Sequence, residues 1–395
     1  MDAPFMNYQN EIYLGGLSQQ RPSFPLSIPE LEARAYEAMT PEARGYVEGG
    51  AGSGYTMRAN RDAFDRWRIV PRMLNDVAER DLSIELFDRT YPAPVLLAPI
   101  GVQSIVHPEG ELAVARAAAQ VGLPMILSTA ASHSIENVAE ASGSGARWFQ
   151  LYWPNDETLT RSFIARAEEA GYEALVVTLD TSLLAWRPAD LQSAYLPFLM
   201  GQGIANYITD PTFRAALEKD PEEDMTGAVM RWVQVFSNPA YTWDDLAMIR
   251  SATDLPILLK GVLHPDDARK AVEHGMNGVI VSNHGGRQVD GSIATLDALP
   301  AVVAEVGDDF PVLVDSGVRT ASDALKAVAL GARAVLLGRP YIWGLTLGGE
   351  AGVIQMLRAY LAELDLTLAL TGNRSLSTVG RETIQPRPAG EIGAR

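Results

Sequence analysis

The chain has 395 residues, 47% hydrophobic and 21% charged, with 32 Lys and Arg against 49 Asp and Glu for a net charge of −17. That balance argues against nucleic acid and anionic membrane surfaces, which demand a basic face, but allows anionic small molecules where a few arginines reverse the field locally. With no cysteine in the sequence, disulfide scaffolds, thiolate metal sites and Cys nucleophiles are excluded.

In chain order, Met1-Asp2-Ala3-Pro4 lacks the basic stretch and apolar run of a secretory signal, and no segment approaches the roughly 18 apolar residues of a membrane span. A cytoplasmic protein is expected. Residues 1–90 read as an N-terminal extension with a helical stretch near 28–39 and a glycine-rich turn at 48–54. Beyond them a unit recurs: an amphipathic stretch, a glycine, then a short apolar run ending in polar residues. The stretches 111–121, 162–170, 268–274 and 321–330 precede Gly122, Gly171, Gly275 and Gly331, each placed where a helix C-terminus favours left-handed dihedrals. The runs that follow (124–128, 174–180, 279–284 and 334–339), joined by 94–99, 146–151, 256–260 and 310–315, are continuously apolar, as strands buried on both faces are. Eight strand–helix units predict an α/β fold, a (β/α)8 TIM barrel, over 91–372 of a single domain; a doubly wound open sheet is the competing arrangement. Residues 183–241, with a poorly periodic middle, read as a lid inserted after strand four, and 373–395 as a C-terminal tail.

In such a barrel, polar residues at strand C-terminal ends line one mouth and read as the site. Asp315-Ser316-Gly317-Val318-Arg319 and Gly338-Arg339-Pro340 close the last two strands. Glycines, helix N–H groups and arginines at that place predict a phosphate cradle. His284, in Ser282-Asn283-His284-Gly285-Gly286-Arg287-Gln288, is a candidate base, with Arg287 beside it to grip a carboxylate. Lys260 suits either a Schiff base or a fixed positive charge near a developing anion, and the residues alone do not separate the two. Asp180, Arg187 and Tyr152 share the same mouth. No metal-ligand spacing stands out.

These motifs, with Trp148-Phe149-Gln150-Leu151-Tyr152 and Lys260-Gly261, resemble the FMN-dependent L-2-hydroxy-acid oxidising family, from about Tyr8 to beyond Gly372. Among its members the chain most resembles the lactate 2-monooxygenases, through Asn10-Glu11-Ile12-Tyr13, Trp186-Arg187-Pro188 and Asn206-Tyr207-Ile208-Thr209-Asp210-Pro211. The resemblance implies an FMN cofactor, a small 2-hydroxy acid and dioxygen as reactants, and a homotetramer or homo-octamer. It implies His284 as base, Asp180 as stabiliser of its imidazolium, Arg187, Arg287 and Tyr46 as carboxylate ligands, and Tyr152 at the hydroxyl. Lys260 takes the fixed-charge role beside the flavin. Pro99, Ile100, Gly101, Ser128, Gln150, Thr178 and Ser282 would hold the ring and ribityl chain, and Asp315, Gly317, Arg319, Gly338 and Arg339 the phosphate end. Gly101, lacking a β-carbon, implies room over the flavin for product and dioxygen together, hence a monooxygenase outcome (lactate to acetate, CO2 and water). The alternatives are an oxidase releasing 2-oxo acid and hydrogen peroxide, or a mandelate-type dehydrogenase. Ala130 implies a pocket for substrates bulkier than lactate. Outside the family, a Schiff-base aldolase using Lys260 and a catalytically silent binding barrel compete.

Overall fold

The computed structural model describes residues 5–388. Eight parallel strands close into a barrel in chain order: β1 (Val95–Leu97), β2 (Met125–Ser128), β3 (Arg147–Tyr152), β4 (Leu175–Thr178), β5 (Ile257–Val262), β6 (Gly278–Val281), β7 (Val312–Val314) and β8 (Ala334–Leu337). Closure is made by β8 pairing with β1, Leu336 opposite Leu96. The apolar runs are strands because both faces are covered, one by the barrel interior and the other by the helices. The helix Gly110–Val121 ends at Gly122 (φ +81°), and the helix Ala321–Ala329 is followed by Gly331 (φ +102°), as their C-terminal glycines require.

Leu96, Ile126, Trp148, Val176, Leu258, Ile280, Leu313 and Leu336 fill the barrel interior together with Ile84, Leu86 and Tyr91. The last three belong to a short antiparallel hairpin, Ile84–Leu86 with Arg89–Tyr91. It meets residues early in the strands and so plugs the N-terminal mouth, where the Trp148 indole N–H donates to the Tyr91 hydroxyl at 3.2 Å. The C-terminal mouth is left for the site.

The insertion after β4 is more regular than its sequence suggests. It holds short helices at Pro188–Ser193, Ala205–Ile208 and Pro211–Ala215, and a longer one at Met225–Val235 that buries Ala228, Val229, Trp232 and Val235. Trp232 and Phe198 stack at 4.9 Å, and Phe236 lies 4.7 Å from Trp232. The final helix, Arg339–Leu370, bends at Gly348 and Gly349. Asp365 on it pairs with Arg80 at 2.6 Å and accepts from the Met6 N–H at 2.9 Å. Within the segment expected as a tail, Ile384–Pro386 pairs antiparallel with Trp67–Ile69. No helix among the described residues is long and apolar enough to cross a membrane.

Candidate active site

A cavity opens at the C-terminal mouth. The ends of different strands supply Pro99, Ile100 and Gly101, Ala130, Tyr152, Lys260, His284, Asp315, Gly317, Arg319, Gly338 and Arg339, and the N-terminal extension adds Tyr46. The insertion contributes Leu184, Arg187, Phe198 and Phe236. Ser128, Gln150 and Ser282 are buried behind this lining: the Ser128 hydroxyl donates to Gln150 Oε1 at 2.9 Å and accepts from the Ala130 N–H, while Ser282 Oγ accepts from Lys260 Nζ at 2.9 Å. Thr178 is not brought to the main cavity; it lines a neighbouring one with Trp153 and Tyr241.

His284 sits at a positive φ of +58°, an uncommon conformation held because Ser316 Oγ accepts from the Gly285 N–H at 2.9 Å and from the Asn283 N–H at 3.3 Å. Its Nδ1 faces Asp180 Oδ1 at 2.8 Å, and its Nε2 lies 3.4 Å from the Tyr152 hydroxyl. Thr181 Oγ1 also donates to Asp180 Oδ1, at 3.0 Å. Burial lowers the His284 pKa and outweighs the Asp180 charge that raises it, so the imidazole is neutral at pH 7. With Nδ1–H donated to the carboxylate, Nε2 presents a lone pair to the cavity. Burial opposes the Asp180 charge, but His284, Lys260 and the hydrogen bonds from His284 and Thr181 hold its pKa down at about 2. The arrangement is a neutral base backed by a fixed anion, suited to taking a proton and stabilising the cation that results.

Arg187 Nε donates to the Arg287 carbonyl at 3.0 Å and its Nη2 to Gln288 Oε1 at 2.7 Å. Arg287 lies over the Tyr46 ring at 5.1 Å and donates to the Gly49 carbonyl at 2.6 Å, with Asp190 no nearer than 3.9 Å. Burial and the Arg187 charge both press the Arg287 pKa down. Two enclosed guanidinium groups side by side make a site for a carboxylate.

At the other end, Gly317 (φ +91°) runs so close to Asn60 that a Cβ would come within 3.0 Å of its backbone oxygen. Arg339 reaches the Val47, Gly285 and Gly49 carbonyls. Arg319, its pKa lowered by burial and by Arg339, forms no ion pair among the described residues. These residues fit a flavin mononucleotide. The Arg319 charge answers a phosphate, Gln150 Nε2 is buried without a partner, and Lys260 sits 4% exposed beside Asp315 at 3.3 Å. Burial works against the Lys260 charge, but Asp315 and Asp180 raise its pKa and keep it protonated.

Gly101 lies at a close approach of two loops. The Cβ that Gly101 lacks would lie 2.8 Å from the Ala130 carbonyl oxygen and 3.0 Å from Ala130 Cβ. A side chain there would force one of the two loops to shift, so a packing reason for the glycine stands beside the expected one of room over the flavin. Leu184, Phe198 and Phe236 were not singled out from sequence, since only the fold of the insertion turns them to the cavity.

A family model described as FMN-dependent dehydrogenase matches residues 35–386. An L-lactate oxidase of Lysinibacillus sphaericus is 44% identical over 97% of this chain and 98% of its own length. A 4-hydroxymandelate oxidase of Amycolatopsis orientalis is 38% identical over 90% and 97%. Among solved structures, a mandelate oxidase superposes with a TM-score of 0.81 at 36% identity, covering 92% of this chain and 98% of that one.

Proposed function

The chain belongs to the FMN-dependent dehydrogenase family, and on that premise we propose that it oxidises an L-2-hydroxy acid whose apolar side chain is larger than a methyl group. Dioxygen takes the electron pair, and the 2-oxo acid and hydrogen peroxide leave. The observation that carries this reading is one cavity holding a neutral His284 backed by the Asp180 carboxylate, two guanidiniums and an apolar wall of Ala130, Leu184, Phe198 and Phe236.

When bound, FMN would supply a two-electron acceptor that dioxygen can reoxidise. The protein does the rest. Arg187 and Arg287 hold the substrate carboxylate, with the Tyr46 and Tyr152 hydroxyls in reach as neutral donors, since burial raises both their pKa values. His284 Nε2 takes the proton, and Asp180 offsets the charge that forms on the ring. Lys260 places a fixed cation in the cavity wall, where charge gathering on the flavin ring would meet it. The apolar wall favours a substrate side chain that fills it and is under-filled by lactate, at roughly 1–3 kcal/mol per missing methylene-scale contact.

The oxidase outcome is preferred to the monooxygenase one because similarity runs to proteins named as oxidases. Turnover of a series from lactate through 2-hydroxyoctanoate to mandelate under air, with peroxide and 2-oxo acid counted, tests it. One peroxide per 2-oxo acid and a preference for the larger acids are expected. A shortened acid with CO2 and no peroxide would assign the monooxygenase outcome instead, and strict preference for lactate would refute the wide pocket.

A further inference from the structure

Gln288 ends the Ser282–Gln288 motif, yet no step above uses it. Its side chain joins three places. Oε1 accepts from Arg187 Nη2 at 2.7 Å, and Nε2 donates to the Asp180 carbonyl at 2.5 Å and to the Leu183 carbonyl at 3.2 Å. The orientation of the amide is fixed by chemistry: a guanidinium only donates and a carbonyl only accepts, so the oxygen must face Arg187. One residue therefore ties the catalytic loop after β6 to the backbone beside Asp180, to the first turn of the insertion and to Arg187.

The charge balance is the informative part. Arg187 is 6% exposed, and among the described residues no carboxylate lies within ion-pair distance of it. Its two hydrogen-bond acceptors are both neutral, the Arg287 carbonyl and Gln288 Oε1, and the Asp190 charge acts on it only from beyond ion-pair distance. A buried cation steered only by neutral acceptors keeps its full charge for an incoming anion, whereas a carboxylate in the same place would neutralise it before substrate arrived. Glutamate, nearly the same shape, fails twice: it would pair with Arg187, and it has no proton for the carbonyls of Asp180 and Leu183.

We propose that Gln288 is a positioning residue that aims Arg187 at the substrate carboxylate while leaving it without an ion-pair partner, and that it anchors the start of the insertion in the same act. The proposal rests on the 2-hydroxy-acid reading above. It accounts for an amide at this position, and it makes carboxylate affinity depend on a side chain that itself need not touch substrate.

The test compares FMN-loaded wild type, Gln288→Glu and Gln288→Met. Oxalate, an unreactive carboxylate, and lactamide, a neutral analogue, are titrated against the visible absorbance of the bound flavin, and KM and kcat are measured for the preferred 2-hydroxy acid. Gln288→Glu is expected to weaken oxalate about 30-fold or more, the lower end of the cost of removing one partner of a buried charge pair, with KM rising in parallel and kcat changing much less. Lactamide should shift by no more than about threefold, because it presents no charge for Arg187 to meet. Gln288→Met, which loses the aim but not the charge, should fall between; if the Glu variant does not retain FMN, the Met variant decides on the same oxalate-to-lactamide contrast. Equal weakening of oxalate and lactamide, or oxalate binding unchanged in a variant that keeps its flavin, would overturn the proposal. A wild type that binds no oxalate and oxidises no 2-hydroxy acid would instead overturn the reading beneath it.

Discussion

Replacing Asp180 with Asn removes one charge from the centre of the site and little else. The Asn oxygen can still accept from His284 Nδ1, and its NH2 group falls where Asp180 Oδ2 is already buried without a partner. With Nδ1 and Oδ1 2.8 Å apart, the centres of an imidazolium and a carboxylate would be about 4 Å apart. At an effective dielectric of about 20 that attraction is about 4 kcal/mol. It exists only after His284 has taken a proton, so its loss falls on the reaction rather than on binding, and about 4 kcal/mol corresponds to about a thousandfold in rate. The assay is anaerobic stopped-flow bleaching of the bound flavin at saturating substrate, repeated across pH. Burial already holds the His284 pKa below its ordinary 6.5, so wild-type kcat/KM should fall on the acid side only below that value. Asp180 raises the His284 pKa; without it the acid limb should move to lower pH even as the plateau drops. A loss of less than about tenfold, or a limb moving to higher pH, would refute the assignment of Asp180 as the counter-charge.

Three further perturbations test other parts of the cavity. Gly101→Ala drives a methyl group into the Ala130 carbonyl, which also accepts from the Val102 N–H at 2.9 Å; overpacking of about 1–3 kcal/mol should lower the thermal midpoint, and an unchanged melt would count against the close approach. Lys260→Met strands Asp315, 6% exposed, without its counter-charge. It should destabilise the protein by about 3–5 kcal/mol in denaturant titration, with partial rescue by adding Asp315→Asn. Arg319→Leu should weaken FMN about 30-fold or more while leaving riboflavin, which has no phosphate, unaffected in fluorescence titrations; equal loss for both would place Arg319 away from the phosphate.

The barrel was legible because its strands are buried on both faces: Leu175–Thr178 and Ala334–Leu337 have no polar alternation to confuse with an edge or a loop. His284, Asp180 and Lys260 were legible because each follows or ends such a run, and strand ends converge on one mouth whatever the loops do. The three-residue strands Trp67–Ile69 and Ile84–Leu86 were not, since three residues carry too little period to read and only their partners make them strands. The helix Met225–Val235 hid its pattern by carrying Met230 and Val233 exposed beside its buried Val229 and Trp232. Phe198, Phe236 and Gln288 act through contacts made across the insertion, and no local spacing announces a contact of that kind. Gly101 was read as room over the flavin, and its close approach to Ala130, about thirty positions along the chain, had no local signal in the sequence.

The pairing of β8 with β1 has a consequence for how the chain comes into being. A ribosome delivers Val95–Leu97 long before Ala334–Leu337, which close the cylinder against it, and Ile384–Pro386, which cover Trp67–Ile69, come later still. Until then the nascent polypeptide holds an open-sided sheet with bare amide groups along its rim, the kind of surface that recruits unwanted neighbours. Synthesis halted before Ala334–Leu337 would leave a sticky, unsealed intermediate, so that strand has to emerge before the barrel is safe in a crowded cell.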